Sequence, residues 1–355
     1  MKKRFFILFL ITSFFFSGCG NEEKIFKGEV SIVETPSTDM LNGEKVVLNG
    51  LYAGYPIIFD SIICFLYRYD NYFISKFDIN TGKHLGIFFH RGQGTEEFLN
   101  FMPLHPESNC EFWIHEYQKR HFVLVDMSSG AEKKRINFSN FKKKGGFPFA
   151  RVFILDDSLL IAVNQPETKN LNDDIMVPKL RLINYLTKEE ITDYELYDED
   201  LYNRQRGIGM DNEHLVEAYH IKPDKSKVAA IMNRLFQINI LDLKTGEWKG
   251  FRVAGTHGFK FVRTPLPPTD SSYYSYYNVS VDDEFIYAIL NNYHEPDVKP
   301  VIHVFDWNGN FVRILECDQK GVVFNLDNVR KKLYFKDNEE GENVWVYDVS
   351  YLYIG

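Results

Sequence analysis

Residues 76–82 read Lys-Phe-Asp-Ile-Asn-Thr-Gly: a β-favouring start, an aspartate, two variable positions, then a threonine and a glycine. An aspartate so placed accepts hydrogen bonds from backbone amides two or three residues on, and the glycine supplies the positive φ of a tight hairpin. The stretch therefore predicts a corner between two antiparallel strands, and it recurs. Residues 124–130 read Leu-Val-Asp-Met-Ser-Ser-Gly and residues 239–246 read Asn-Ile-Leu-Asp-Leu-Lys-Thr-Gly, with weaker copies at 304–309, 182–187 and 346–350. The corner residues Asp78, Asp126, Asn184, Asp242, Asp306 and Asp348 are separated by 48, 58, 58, 64 and 42 positions. Four short strands with their loops need roughly 40 to 50 residues, the size of one propeller blade. Six corners predict an all-β, six-bladed β-propeller.

The rest of the chain fits that frame. It holds 31 Phe and 21 Tyr among 355 residues, in many short alternating apolar runs separated by turn residues, the pattern of half-buried strands. Reading outward from each corner gives four runs per blade, except in the last. There only 322–325, 332–335 and 343–348 remain, so the missing strand is expected from 29–34 or 45–49, closing the ring and removing the free sheet edges.

The N-terminus reads as an export signal. Lys2, Lys3 and Arg4 precede an apolar run over 5–16, broken only by Thr12 and Ser13, which reaches Phe16-Ser17-Gly18-Cys19. The last four residues resemble the bacterial lipobox, which implies cleavage before Cys19 and acylation of its thiol; several acyl chains on one residue anchor stably. The expected organisation is a signal peptide over 1–18, a tether over 19–27 and one propeller domain over 28–355. No later run reaches the ~20 apolar residues of a spanning helix, so membrane contact is expected through the anchor only. Loss of Lys2, Lys3 and Arg4 takes the formal charge from −8 to −11, a balance that argues against nucleic-acid binding. Cys64, Cys110 and Cys317 are widely spaced and form no C-x-x-C pair, so no metal site is expected and at most one disulfide is possible.

Residues 90–100, His-Arg-Gly-Gln-Gly-Thr-Glu-Glu-Phe-Leu-Asn, lie between the first two blades. A dinucleotide-binding loop would need a third glycine where Glu97 stands and a long helix after it. An interblade joint, with glycines at positive φ and Phe98 filling apolar space, accounts for the stretch better. With the lipobox and the six corners, this segment makes the chain resemble the TolB-like six-bladed propeller lipoproteins of Bacteroidota. Those carry a motif close to G-R-x-G-x-G-P-G-E-F, matched here at Arg91, Gly92, Gly94, Glu97 and Phe98, with Thr95 and Glu96 in place of Pro-Gly. The resemblance implies the propeller fold and an outer-membrane address facing the periplasm or the cell surface.

Catalytic signatures are missing from the sequence. No H-E-x-x-H and no G-x-S-x-G occurs, and Lys244-Thr245-Gly246, which mimics a penicillin-enzyme motif, is one of the six corners. Two surfaces stand out for binding. Arg91, Gln93 and Glu97 are expected near one mouth of the ring, where loops on a rigid scaffold carry function. The loop 264–278 offers Tyr273, Tyr274, Tyr276 and Tyr277, flat faces with polar tips suited to a sugar ring or a protein; alternatively these begin an inner strand and pack inward. The resulting expectation is a monomeric, outer-membrane-anchored binding or scaffolding propeller for a protein or carbohydrate partner, with no cofactor. The alternative is a hydrolase or lyase with a His/carboxylate site at one mouth of the channel.

Overall fold

The computed structural model of the chain describes residues 25–50, 52–66, 71–94, 97–108, 110–116, 118–138, 149–164, 179–201, 216–232, 235–256, 274–292, 299–321, 323–337 and 343–354. The segment expected to be a signal peptide, and Cys19, lie outside the described residues. Three N-terminal strands, β1 (Glu29–Val33), β2 (Thr38–Leu41) and β3 (Glu44–Val46), precede the first blade. Blade one is β4 (Tyr55–Phe59), β5 (Ile62–Leu66), β6 (Tyr72–Asp78) and β7 (His84–His90). Blade two is β8 (Met102–Pro106), β9 (Glu111–Glu116), β10 (His121–Asp126) and β11 (Glu132–Asn137). Blade three is β12 (Phe149–Ile154), β13 (Leu159–Asn164), β14 (Lys179–Asn184) and β15 (Glu189–Glu195). Blade four is β16 (Val216–Ile221), β17 (Lys227–Met232), β18 (Gln237–Asp242) and β19 (Trp248–Val253). Blade five is β20 (Tyr274–Val281), β21 (Phe285–Asn292), β22 (Val301–Asp306) and β23 (Phe311–Cys317), and blade six is β24 (Val323–Asp327), β25 (Lys332–Lys336) and β26 (Val344–Asp348).

The second strand of each blade is buried on both faces between neighbours and reads as a continuous apolar run, as in Ile63-Cys64-Phe65-Leu66 or Val228-Ala229-Ala230-Ile231-Met232. First strands line the centre, where β24 touches β4 and β20, β16 touches β20, and β8 touches β12.

All six corners form as the spacing predicts. Amides of Thr81, Ser128, Thr187, Thr245, Asn308 and Ser350 donate to the side-chain oxygens of Asp78, Asp126, Asn184, Asp242, Asp306 and Asp348 at 2.7 to 3.0 Å. Gly82, Gly130 and Gly246 take φ of 68°, 77° and 76° four residues after the acid, and Lys188 occupies the same place at 65° in blade three. Five corners also tie by a backbone bond to the first turn of their own blade: Ile79 N–H donates to the Ser61 carbonyl, Met127 to Cys110, Tyr185 to Ser158, Leu243 to Ser226 and Val349 to Lys331; in blade five the Trp307 indole N–H donates to the Asp282 carbonyl instead. The short turns therefore share one face of the ring, and the interblade links fall on the other.

The N-terminal segment is a strap around the perimeter. Phe26 bridges to Tyr197 beside blade three, β1 adds to β19 of blade four, β2 adds to β23 of blade five, β3 pairs with β26, and Asn49 bridges to Lys83 of blade one. Of the two segments expected to close the ring, the later one does so as β3, whereas 29–34 lies on blade four. The reason is local. Gly28 passes against the Trp248 carbonyl, where a Cβ would sit 2.3 Å away, and at Gly250 a Cβ would fall 2.9 Å from Val30. Two glycines thus let the strap lie tight on β19, with Val30 and Val33 packing into the seams on either side. Ile25 and Phe26, placed in the tether from sequence, are buried at 1% and 6% exposure.

Basic side chains staple the seams between blades. Lys76, buried under Phe88, donates to the Met127 and Ser128 carbonyls of blade two; Lys134 pairs with Asp157, Lys225 donates to the Leu155 carbonyl and Lys227 to that of Trp307. Lys331 pairs with Asp282, and Arg330 donates to the Asp60 carbonyl. All six junctions of the ring are crossed in this way, each cation meeting oxygens its own blade does not supply. Cys64, Cys110 and Cys317 are free thiols; burial pushes Cys317 up to about 12, which keeps it protonated and unreactive.

Candidate functional site

The joint at 90–100 closes on itself. Arg91 bridges to Phe98, the Gly92 amide donates to the Phe98 carbonyl, and the Phe98 amide donates to the His90 carbonyl. Phe98 is 4% exposed and packs edge-on against Phe89 and Phe101 in the seam between blades one and two, as the sequence reading proposed. The glycines act differently from expectation. Neither Gly92 nor Gly94 has a positive φ. Instead the Glu97 carboxylate folds back, accepts the Gly94 amide at 2.9 Å, and lies where a Gly92 Cβ would be 1.8 Å away. The buried carboxylate of Glu116 holds the loop from below, accepting the Leu99 amide at 3.0 Å with Lys119 at 3.1 Å. Glu97 is thus a structural brace, while Arg91, stacked over the Phe73 ring, and Gln93 are exposed on the linker face.

A double-mutant cycle tests this assignment. Gly92→Ala displaces the Glu97 carboxylate and Glu97→Ala removes it, so each is expected to cost about 1 kcal/mol through the same lost hydrogen bond. The double variant should cost little more than either single one. Additive losses in urea melts would show that the carboxylate and the glycine act independently.

Of the two readings of the tyrosine-rich stretch, Tyr276 follows the inward-packing one. Tyr276 is completely buried between blades four and five, in contact with Phe236, and its hydroxyl bonds His303 Nδ1 at 2.9 Å. A bulge between Tyr276 and Asn278 breaks the strand's alternation. Tyr273 and the side chains of Tyr274 and Tyr277 lie outside the described residues. Burial holds the Tyr276 hydroxyl well above its usual range and pushes His303 down to about 4, so the pair is a neutral core hydrogen bond.

The innermost strands carry polar residues that no motif marked. His105 on β8, Arg151 on β12 and His220 on β16 come from the innermost strands of three consecutive blades. A bulge at Leu104 sets His105 opposite Trp113, on the face toward the seam of blades two and three, whereas His220 lies opposite Ala229, on the face toward the seam of blades four and five. His105 packs at 5.6 Å from the Phe153 ring, is 7% exposed, and neither of its ring nitrogens has a hydrogen-bond partner. Arg151 is hemmed in by protein, with its Nε sealed from solvent and unpartnered among the described residues, yet the residue keeps part of its surface open. Burial, then the Lys225 and Arg151 charges, push His105 down to about 3 against a weak opposing effect of the Ile154 carbonyl. Burial and then Arg151 do the same to His220.

Carboxylates nearby are committed elsewhere. Glu107 accepts from Trp113 Nε1 and Lys225, Asp282 pairs with Lys331, and Asp327 pairs with Arg330. Among the described residues, no group of three or more His, Cys, Asp and Glu side chains is arranged to hold a metal ion. A rim cleft of about 490 Å³ opens where the strap crosses from blade three to blade four; its Lys27 and Glu195 pair across it.

Residues 37–329 match a family model described as TolB-like 6-blade propeller-like. Among solved structures, a member of the DUF4221 family from Bacteroides vulgatus is similar at 12% identity with a TM-score of 0.59, covering 87% of this chain and 96% of that one. A protein of Bacteroides fragilis described as exported is similar at 11% identity with a TM-score of 0.54, covering 89% and 99%. At such identities the likeness is one of fold. No curated protein matches the chain.

Proposed function

The chain belongs to the TolB-like six-bladed propeller family, and on that premise we propose that it is an exported, lipid-anchored binding propeller that holds a protein or carbohydrate partner on the face of its interblade links. One observation carries the reading: the two faces are built unequally. On the corner face no connection exceeds five residues, whereas on the opposite face the links 196–215 and 254–273 each span twenty. Long connections on a rigid scaffold are the usual place for recognition. Arg91 and Gln93 are exposed on that face, and the Tyr-rich stretch leads into β20 from the same side. The export signal, the lipobox Cys19 and the exported Bacteroides neighbour support an address outside the cytoplasm.

Cross-linking in intact cells followed by mass spectrometry tests the docking face. The expected result is a partner cross-linked to the linker face and lost when Arg91, Gln93, Tyr273, Tyr274 and Tyr277 are replaced by Ala in a protein that still melts cooperatively. Cross-links confined to the corner face would overturn it. Labelling with a radioactive fatty acid, abolished by Cys19→Ala, tests the anchor separately.

A further inference from the structure

A segment that buries few apolar side chains opens before the rest of a fold unless polar contacts hold it. The middle of the strap, 34–47, is such a segment. Only Leu41 and Val46 are buried in it, while Met40 and Val47 are 60% and 66% exposed. What closes it is the far end of the chain. After β26 the backbone makes one 3₁₀ turn, Ser350–Tyr353, whose tyrosines reach two ways. Toward the strap, the Tyr351 hydroxyl donates to Asp39 Oδ2 at 3.0 Å, and Arg313 Nε of blade five lies 3.4 Å from the same oxygen. Toward the ring, the Tyr353 hydroxyl donates to the buried carboxylate of Asp282 and meets the Tyr287 hydroxyl at 2.7 Å. Phe285 packs edge-on to the Tyr353 ring at 5.1 Å, and Lys331, 2.8 Å from Asp282 Oδ2, lies over that ring at 4.1 Å. A second fastening lies four residues along the strap from Asp39. There the Gly43 amide donates to Asp318 at 2.9 Å, and a Cβ would fall 2.7 Å from the Tyr347 ring.

We propose that the C-terminal turn is a latch on the strap: Tyr353 seats it in the seam of blades five and six, Tyr351 grips Asp39, and 34–47 opens as one unit when the grip is lost. Opening bares the outer edges of β23 and β26, which β2 and β3 cover. Free edges of that kind are where unwanted strand pairing starts, so the latch guards them. β1 stays in place, because Gly28 and Gly250 seat it on blade four through contacts of its own. The device is built into the perimeter and does not depend on the function proposed for the linker face.

Hydrogen exchange of the purified full chain, read by mass spectrometry over 29–33, 36–46 and 228–232 separately, tests the latch. Ending the chain after Val349 removes the turn and should speed exchange in 36–46 at least about tenfold, through the loss of hydrogen bonds to charged acceptors. Exchange in 29–33 and in 228–232 should stay as it was. Tyr351→Phe removes one hydroxyl, keeps the ring, and should speed 36–46 about threefold; it supplies the second arm if the shortened chain does not fold. Unchanged exchange in 36–46 in either folded variant would overturn the proposal by showing that the strap holds itself. Equal acceleration in all three segments would overturn it too, since the strap would then open only with the whole ring.

Discussion

Acidification from pH 7 to pH 5 is expected to lower the midpoint of thermal unfolding steeply, because four buried histidines are held neutral. Burial pushes His105 and His220 down to about 3 and His115 and His303 down to about 4. Their folded values lie below the unfolded value near 6.5. Above pH 6.5 neither state is protonated and these groups contribute nothing to the pH dependence. Below it the unfolded chain takes up protons that the native ring refuses, so stability falls with pH until the folded values are reached. Each histidine contributes about 1.4 kcal/mol per pH unit, so four together give on the order of 5 kcal/mol per unit. That rivals the 5–15 kcal/mol that holds a typical domain together.

The corner aspartates titrate in a lower window. Hydrogen bonds from Ser128 hold Asp126, and those from Thr81 hold Asp78, below the ordinary carboxylate range. Their stabilisation is present above the unfolded value near 4 and is lost as pH falls through the folded values. Melts at pH 7.5, 6 and 5 therefore isolate the histidines, and a flat midpoint across that range would contradict their burial as neutral rings. His303→Gln, which can still meet the Tyr276 hydroxyl, should reduce the slope by about a quarter.

Removal of the strap is the second large effect. A chain starting at residue 50 loses β1, β2 and β3, exposing the outer edges of blades four, five and six. It also uncovers the surfaces against which Ile25, Phe26, Leu41 and Val46 are buried. Full burial of one such side chain contributes roughly 1.5–3 kcal/mol, and free strand edges invite intermolecular pairing. The expected outcome is an aggregating protein with no cooperative melt, whereas a chain beginning at Ile25 melts as the longer one does. A synthetic peptide covering 25–49 should restore solubility in trans by strand addition. A monomeric truncated protein melting within a few degrees of the intact one would show that the six blades close without the strap.

The corners were legible because their chemistry is local: an acid and the amides two and three residues on, with a positive φ at the fourth place. The sixth blade's shortage of one strand was legible by counting, and β3 fills it. The placing of β1 and β2 was not, since an alternating apolar strand matches any free edge, and only the approach allowed by Gly28 and Gly250 selects β19. The joint shows the same limit. Its position and the Phe98 plug followed from sequence, but the role of Gly92 depends on a carboxylate folded back across the loop.

Sequence alone therefore determined the blade number, the corners and the last blade's need for a returning strand, because each rests on contacts between residues near in the chain or on a simple count. Tertiary structure decided where the strap runs and that Tyr276 belongs to the core. Both depend on residues far apart in the chain: β1 meets β19, and the Tyr276 hydroxyl meets His303, only once the blades have formed, and the neutrality of that pair comes from the water their packing excludes.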